Sequence, residues 1–503
     1  RLELFFGFLY RNATRLKLRK VRWCKHSIKS FCAAKLLLFF KSCKFITKIL
    51  YIRKKNCTFA ALFYTFAKVS YQFMNKKLHI DTLCVQAGYN PQKGEPRQVP
   101  IIQSTTFKYE TSEQMGKLFD LEESGYFYTR LQNPTNDTVA AQIAAMEGGV
   151  AAMLTSSGQA ANFFACFNIC QAGDHMITTT SIYGGTYNLF GVTFPKMGIE
   201  ITFIDQDASD EEWNAAFRPN TKLVFGETLS NPNVRILDIE RIAGFAHQHG
   251  VPLIVDNTFP TPVNCRPFEF GADIVTHSTT KYMDGHGVQV GGVIVDSGNF
   301  DWEAQHDKFT CLTEPDASYH GLRYTEAFGK LAYITKATAQ LMRDLGSIQS
   351  PQNAFYLHLG LQTLHVRMSR HCESALKVAQ WLEQHPDVAW VRYPELENDP
   401  EHARQQKYMP NGSCGVMAFA VKGDRAFANR FMDNLQLVTI ETHVADCHTC
   451  ILHPASHTHR QLSNEALLAA GIDPDLMRLS IGLENADDLI ADIQHALTQA
   501  HNA

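Results

Sequence analysis

The sequence predicts an α/β fold, with a mainly parallel central sheet and a smaller C-terminal α/β domain. Three observations predict it. Short apolar runs rich in β-branched residues recur between Met176 and Val295, bounded by polar turns. Helix-compatible segments such as Ile239 to His249 separate most of them. Such alternation indicates parallel strands covered on both faces. Reactive and charged residues mostly follow the runs directly, at the carboxyl ends of strands, where sheets of this kind place their sites.

Along the chain, residues 74–135 read as an irregular arm, because Pro, Gly and Thr break up the apolar runs. Ala140 to Met146 reads as a helix stopped by Gly148-Gly149. A small-residue strand leads into Thr155. The runs Met176-Ile177-Thr178, Ile199 to Phe203, Leu223-Val224-Phe225, Leu253-Ile254-Val255, Ile274-Val275 and Val293-Ile294-Val295 read as further strands of a large domain over 136–340. After about 340 the character shifts. Gln352 to Gln384 reads as one long helical stretch, and Val416 to Val421 and Val438 to Glu441 as strands, so 341–503 are expected to form the smaller domain.

The chain has 503 residues, 45% hydrophobic and 19% charged, which suits a globular protein with a large core. Its net charge of −3 conceals a split. Residues 1–73 carry 17 Lys or Arg and one acid, Glu3, against 30 basic and 49 acidic residues in the remainder. The basic stretch could be a transit peptide, although it is Lys- and Phe-rich where such peptides are Arg- and Ser-rich. It could be an arm for nucleic acid or anionic lipid. The favoured expectation is that it is not a native part of the protein, or is disordered, and that translation starts at Met74, where the composition changes. Thirteen cysteines without framework spacing read as reduced cytosolic thiols. No stretch of 18 uninterrupted apolar residues suggests a membrane span. A cytoplasmic protein acting on small molecules, without nucleic-acid or membrane partners, is expected.

Asp256 ends an apolar run. A carboxylate there either caps the following turn or sits against a ring nitrogen and keeps it protonated. Lys281 comes 25 residues later, after the next run, in His277-Ser278-Thr279-Thr280-Lys281. Hydroxyls beside a lysine suit a phosphate next to an imine, and the spacing suits one cofactor lying across neighbouring strand ends. Ser157-Gly158-Gln159 opens a helix after a strand; free N–H groups there bind phosphate, or Ser157 is a plain cap. Tyr183, before Gly184-Gly185, either packs on the core or stacks on a cofactor ring.

Together these residues carry a resemblance. Tyr128-Thr129-Arg130-Leu131-Gln132-Asn133-Pro134-Thr135, Ser157-Gly158-Gln159-Ala160-Ala161, Tyr183-Gly184-Gly185-Thr186, Glu227-Thr228-Leu229-Ser230-Asn231-Pro232, Asp256-Asn257-Thr258 and Ser278-Thr279-Thr280-Lys281 resemble, in order, the motifs of the Cys/Met-metabolism family of pyridoxal-phosphate enzymes. The match runs from roughly Thr82 to the end of the chain. The resemblance implies the aspartate-aminotransferase-like (type I) fold and pyridoxal 5′-phosphate as cofactor. It implies that Lys281 holds the cofactor and shuttles protons, that Asp256 pairs with the pyridine nitrogen, and that Tyr183 stacks on the ring and assists proton transfer. Gly158 and Gln159 amides with Ser278 and Thr280 hydroxyls would hold the phosphate. Asn231 and Glu227 would lie around the ring, and Arg478 would clamp the substrate carboxylate, a task that suits a guanidinium fork. Tyr128 and Arg130 would reach the phosphate of a neighbouring subunit, with Tyr128 and Asn231 near substrate. The functional unit would then be a homo-oligomer, at least a dimer, with a tetramer expected.

Within the family the chain is similar to the O-acetylhomoserine sulfhydrylases. From Met74 it has 430 residues, and Leu312 to Gly321 resembles a segment of that branch, as does Arg460-Gln461-Leu462-Ser463 after Leu452 to His459. The implied reaction joins O-acetyl-L-homoserine and sulfide, or a small thiol, to give homocysteine or its S-alkyl analogue and acetate, in methionine biosynthesis. A γ-lyase or cystathionine synthase of the same family, and a non-catalytic binding protein keeping the fold, are the alternatives. One departure concerns the substrate pocket, because His443 stands where the family often carries Ser or Asn. Cys447-His448-Thr449-Cys450 has half of a zinc-site spacing, but the reading is of ordinary thiols and no metal.

Overall fold

The computed structural model describes residues 78–457, 460 and 473–502. The basic stretch 1–73 lies outside the described residues, as do His459 and Gln461-Leu462-Ser463.

Seven strands build the large sheet: β1 (Ala151–Thr155), β2 (His175–Thr179), β3 (Glu200–Ile204), β4 (Thr221–Glu227), β5 (Leu253–Asp256), β6 (Ile274–His277) and β7 (Gly292–Asp296). Their spatial order is β1-β7-β6-β5-β4-β2-β3. The block from β3 to β6 is parallel, while β7 runs antiparallel to both β1 and β6. Alternate residues feed two different cores. Leu253, Val255, Val275, Val293 and Val295 face one, and Ile254, Ile274 and Ile294 face the other. That is why these strands read as unbroken apolar runs: both faces of the sheet are covered.

Local chemistry sets the helices beside the sheet. Pro134–Glu147 opens on Asn133, whose side chain accepts the Thr135 N–H at 2.9 Å, with Pro134 in the first turn. It ends at Gly148, whose φ of 82° is the left-handed stop that glycine tolerates. The helix therefore starts earlier than the apolar pattern alone suggests. The arm is also less irregular than expected, since Ile80–Gln86 and Ser112–Phe119 are helical.

A second sheet comprises β8 (Val388–Arg392), β9 (Val416–Val421), β10 (Thr439–Ile440), β11 (Cys450–Leu452) and β12 (Met477–Ser480), in the order β10-β11-β12-β9-β8. The expected helix over Gln352–Gln384 is two helices, Pro351–Gln362 and Leu364–Gln384. The break at Thr363 falls at a tertiary contact. Gly360 packs so closely on the Met283-Asp284 backbone that a Cβ there would lie 2.4 Å from the Asp284 carbonyl oxygen. The Gly360 carbonyl is taken by Arg367 Nη2 at 2.7 Å, and Arg367 Nη1 reaches the Tyr282 carbonyl at 2.7 Å. Among the described residues no helix is long and apolar enough to cross a membrane.

Candidate active site

The sheet register lines up the first components. Glu227 pairs with Asp256, and Asp256 with Thr276, so the ends of β4, β5 and β6 present these residues side by side. Asp256 is tightly held. Its Oδ1 accepts the Thr258 N–H at 3.0 Å and the Thr258 hydroxyl, and its Oδ2 accepts the Asn162 side-chain amide at 3.1 Å. Glu227 Oε1 accepts the Tyr183 N–H at 2.6 Å. Burial, with the negative Asp256 beside it, pushes the Glu227 carboxyl well above the usual range, so its neutral form is favoured.

Above these strand ends opens a cavity of about 210 Å³. Its lining includes Gly158, Gln159 and Ser278, then Tyr183, Glu227, Asn231 and Asp256, and also Thr280, Lys281 and Arg478. The helix Gly158–Phe167 points its N-terminus at the cavity. Ser157 caps it by accepting the Ala160 N–H at 3.1 Å. Ser157 is thus the ordinary cap, and the Gly158 and Gln159 amides stand at the helix start, where anions bind. A Cβ on Gly158 would lie 2.6 Å from Ser278 Cβ, so the close approach of the two segments requires glycine.

Lys281 follows β6 and is largely buried. Burial, with the positive Arg478 nearby, holds its amine down at about 8. Arg478 stands on β12 and is 5% exposed. Its Nη2 donates to the His443 carbonyl at 2.9 Å and its Nη1 to Asn231 Oδ1 at 3.4 Å, while its Nε has no partner among the described residues. His443 does not line the cavity; its neighbours Thr442 and Val444 do. The His443 ring instead meets Lys281 Nζ at 3.3 Å. Thr280 faces the cavity, yet its hydroxyl is engaged with the Gly291 N–H and carbonyl at 3.1 and 3.2 Å. Tyr128 and Arg130 are exposed, with the guanidinium 5.3 Å from the ring centre, and neither lines this chain's cavity. Cys447 and Cys450 are free thiols that burial pushes up, Cys450 to about 12.

Asn162 is the main component that sequence reasoning missed. It donates to Asp256 while its own Oδ1 accepts the Thr276 hydroxyl at 2.6 Å. The available signal was a buried amide inside the apolar helix Gly158-Gln159-Ala160-Ala161-Asn162-Phe163-Phe164. Thr258, which holds both Asp256 and the Ser278 N–H, was quoted only as part of a motif.

These residues fit pyridoxal phosphate. There is an anion cradle with no room for a Cβ, a fixed carboxylate, a buried amine and a guanidinium with a free donor. Gln159 Oε1, on the cavity wall, is likewise without a partner among the described residues.

Comparison with known proteins agrees. Residues 81–498 match the family model for Cys/Met metabolism PLP-dependent enzymes. An O-acetyl-L-homoserine sulfhydrylase of Leptospira meyeri is 42% identical over 434 residues, which are 84% of this chain and 98% of that protein. A homocysteine/cysteine synthase of Saccharomyces cerevisiae is 43% identical, with 83% and 97% covered. A Campylobacter jejuni chain described as an O-acetylhomoserine (thiol)-lyase, which carries N′-pyridoxyl-lysine-5′-monophosphate, superposes with a TM-score of 0.81 at 38% identity, covering 84% of this chain and 100% of that one.

Proposed function

The chain belongs to the Cys/Met metabolism PLP-dependent enzymes, and we propose that it replaces the γ-substituent of O-acetyl-L-homoserine with sulfide or a small thiol. The products are L-homocysteine, or its S-alkyl analogue, and acetate. The observation that carries this reading is the meeting of Lys281, Asp256 and Arg478 in one cavity whose helix N-terminus suits a phosphate.

Bound pyridoxal phosphate supplies an electron sink for the charge left when a proton departs the substrate α-carbon. Each residue then has a separate task. The Gly158 and Gln159 amides with the Ser278 hydroxyl hold the phosphate. The Thr280 hydroxyl, which faces the cavity while bonded to Gly291, is assigned to the phosphate as well. Asp256 keeps a proton on the ring nitrogen, and Asn162 and Thr258 aim it. Tyr183 covers the ring, anchored through its N–H on Glu227. Lys281, once free and neutral, takes the α-proton, and its buried setting favours that neutral form. Arg478 receives the substrate carboxylate on its unpartnered Nε and its Nη groups. Removal of a β-proton then lets acetate leave the γ-carbon, hydrosulfide adds there, and return of protons to the β- and α-carbons completes the exchange.

Tyr128 and Arg130 serve the phosphate of a neighbouring copy in this reading, so the working unit is a dimer or a tetramer, in the cytoplasm. The N-terminal arm, 74–135, is the segment that crosses to that copy.

The test offers the purified protein O-acetylhomoserine with sulfide, O-succinylhomoserine with sulfide, either ester with cysteine, and methionine or cystathionine alone. Homocysteine and acetate from the first mixture in excess of the others support the proposal. Preferential breakdown of methionine or cystathionine makes the chain a lyase, and use of cysteine with a homoserine ester makes it a cystathionine synthase.

A further inference from the structure

Lys281 has an immediate neighbour that the reading above leaves without a task. Lys281 Nζ lies 3.3 Å from His443 Nδ1, and Asp446 Oδ2 lies 3.4 Å from Nε2 of the same ring, a charge contact without hydrogen-bond alignment, since Nε2 has no hydrogen-bond partner among the described residues. Amine, imidazole and carboxylate form a row. The backbone at the middle of the row is fixed by the second sheet. The His443 carbonyl accepts from Arg478 Nη2 at 2.9 Å and from the Cys450 thiol at 3.2 Å. Asp446 is fixed too, since its Oδ1 accepts the His448 N–H at 2.8 Å.

A neutral imidazole has one donor and one acceptor nitrogen, and the neighbour of each decides which is which. A carboxylate on the Nε2 side favours the hydrogen there. Nδ1 is then free to accept, and it is the atom that faces the amine. Two influences oppose each other on the ring. Burial, then the charges of Lys281 and Arg478, push its titration down, while Asp446 and Glu441 push it up; the net direction is down. The ring is therefore neutral under conditions in which Lys281 works.

We propose that His443 is a positioning residue for Lys281: with the charge of Asp446 favouring the hydrogen on Nε2, it accepts a hydrogen from the Lys281 amine at Nδ1 and so aims that amine's lone pair. This rests on the reading of Lys281 as the lysine that anchors the cofactor. An amine that must attack an aldehyde, or collect a proton from one direction, gains from a fixed lone pair.

The test is the rate at which the full-length protein, stripped of cofactor, captures added pyridoxal phosphate at neutral pH. It is followed by absorbance and by borohydride reduction with peptide mass mapping. His443→Ala and His443→Phe, the second filling the space without a ring nitrogen, should both slow capture about tenfold, the scale of one lost hydrogen bond. His443→Asn, which offers an acceptor near Nδ1, should stay within about threefold. In ¹⁵N-histidine spectra His443 should carry its hydrogen on Nε2, and Asp446→Asn should weaken that preference. Wild-type capture by His443→Phe, or a hydrogen on Nδ1, would overturn the proposal. Lys281→Ala is the separate control. Reducible capture surviving there would overturn the reading of Lys281 itself, whereas its loss, with His443→Phe unaffected, rejects only the role of His443.

Discussion

Asn162 donates its side-chain amide to Asp256 Oδ2 at 3.1 Å and accepts the Thr276 hydroxyl on its own Oδ1 at 2.6 Å. One buried amide thus ties the helix that cradles the phosphate to two neighbouring strand ends. Asn162→Ala strands a carboxylate oxygen and a buried hydroxyl, a cost of about 1–3 kcal/mol. We expect a lower midpoint in denaturant unfolding and weaker pyridoxal-phosphate binding by titration. An unchanged cofactor affinity would mean that Thr258 alone suffices to aim Asp256.

Glu227 distinguishes an acceptor from a charge. Its carboxyl is raised well above the usual range by burial and by Asp256, so a neutral amide should substitute. Glu227→Gln keeps an oxygen for the Tyr183 N–H and should change kcat/KM by less than about threefold. Glu227→Ala removes that acceptor and should cost about tenfold or more. Equal losses in both variants would show that a negative charge at 227 is required.

The pH dependence follows from Lys281. Its amine is held down at about 8, and only the neutral form can accept a proton. The same holds for nucleophilic attack, so the rate at which cofactor-stripped protein captures pyridoxal phosphate should rise with pH, about tenfold per unit on the acid limb, and level off above about 8. A capture rate that is flat between about pH 6 and 9 would assign the attack to another group.

Most of the large sheet was legible in the sequence because strands covered on both faces declare themselves as apolar runs. Asp256 was legible for the same reason, since it follows such a run directly, whereas Lys281 stands four residues beyond β6 and was marked by the hydroxyls before it, and Glu227 by the family motif alone. What was not legible depends on contacts between distant segments. Asn162 looks like an ordinary polar interruption of an apolar helix until β5 and β6 are placed beneath it. The break at Thr363 falls where Gly360 lies against the backbone of Met283 and Asp284 and gives its carbonyl to Arg367. The Thr280 hydroxyl, expected at the phosphate, exchanges hydrogen bonds with Gly291, a contact that its place beside Lys281 does not declare.

Tyr128 and Arg130 allow a test of shared sites. Lys281→Ala and Arg130→Ala lie in different places if Arg130 serves the neighbouring copy. Co-refolding the two inactive variants in equal amounts should then restore about a quarter of the wild-type sites in a two-fold dimer, since half the dimers are mixed and each holds one intact site. No recovery on mixing would place Arg130 in its own chain's site.

The most direct measurement is homocysteine and acetate production from O-acetyl-L-homoserine and sulfide by protein supplied with pyridoxal phosphate, compared with the Lys281→Ala variant. The wild-type chain should form both products in equal amounts, and the variant should form none above the uncatalysed rate. Near-wild-type turnover by Lys281→Ala, or a wild-type protein that leaves O-acetylhomoserine untouched while degrading methionine, would contradict the assignment.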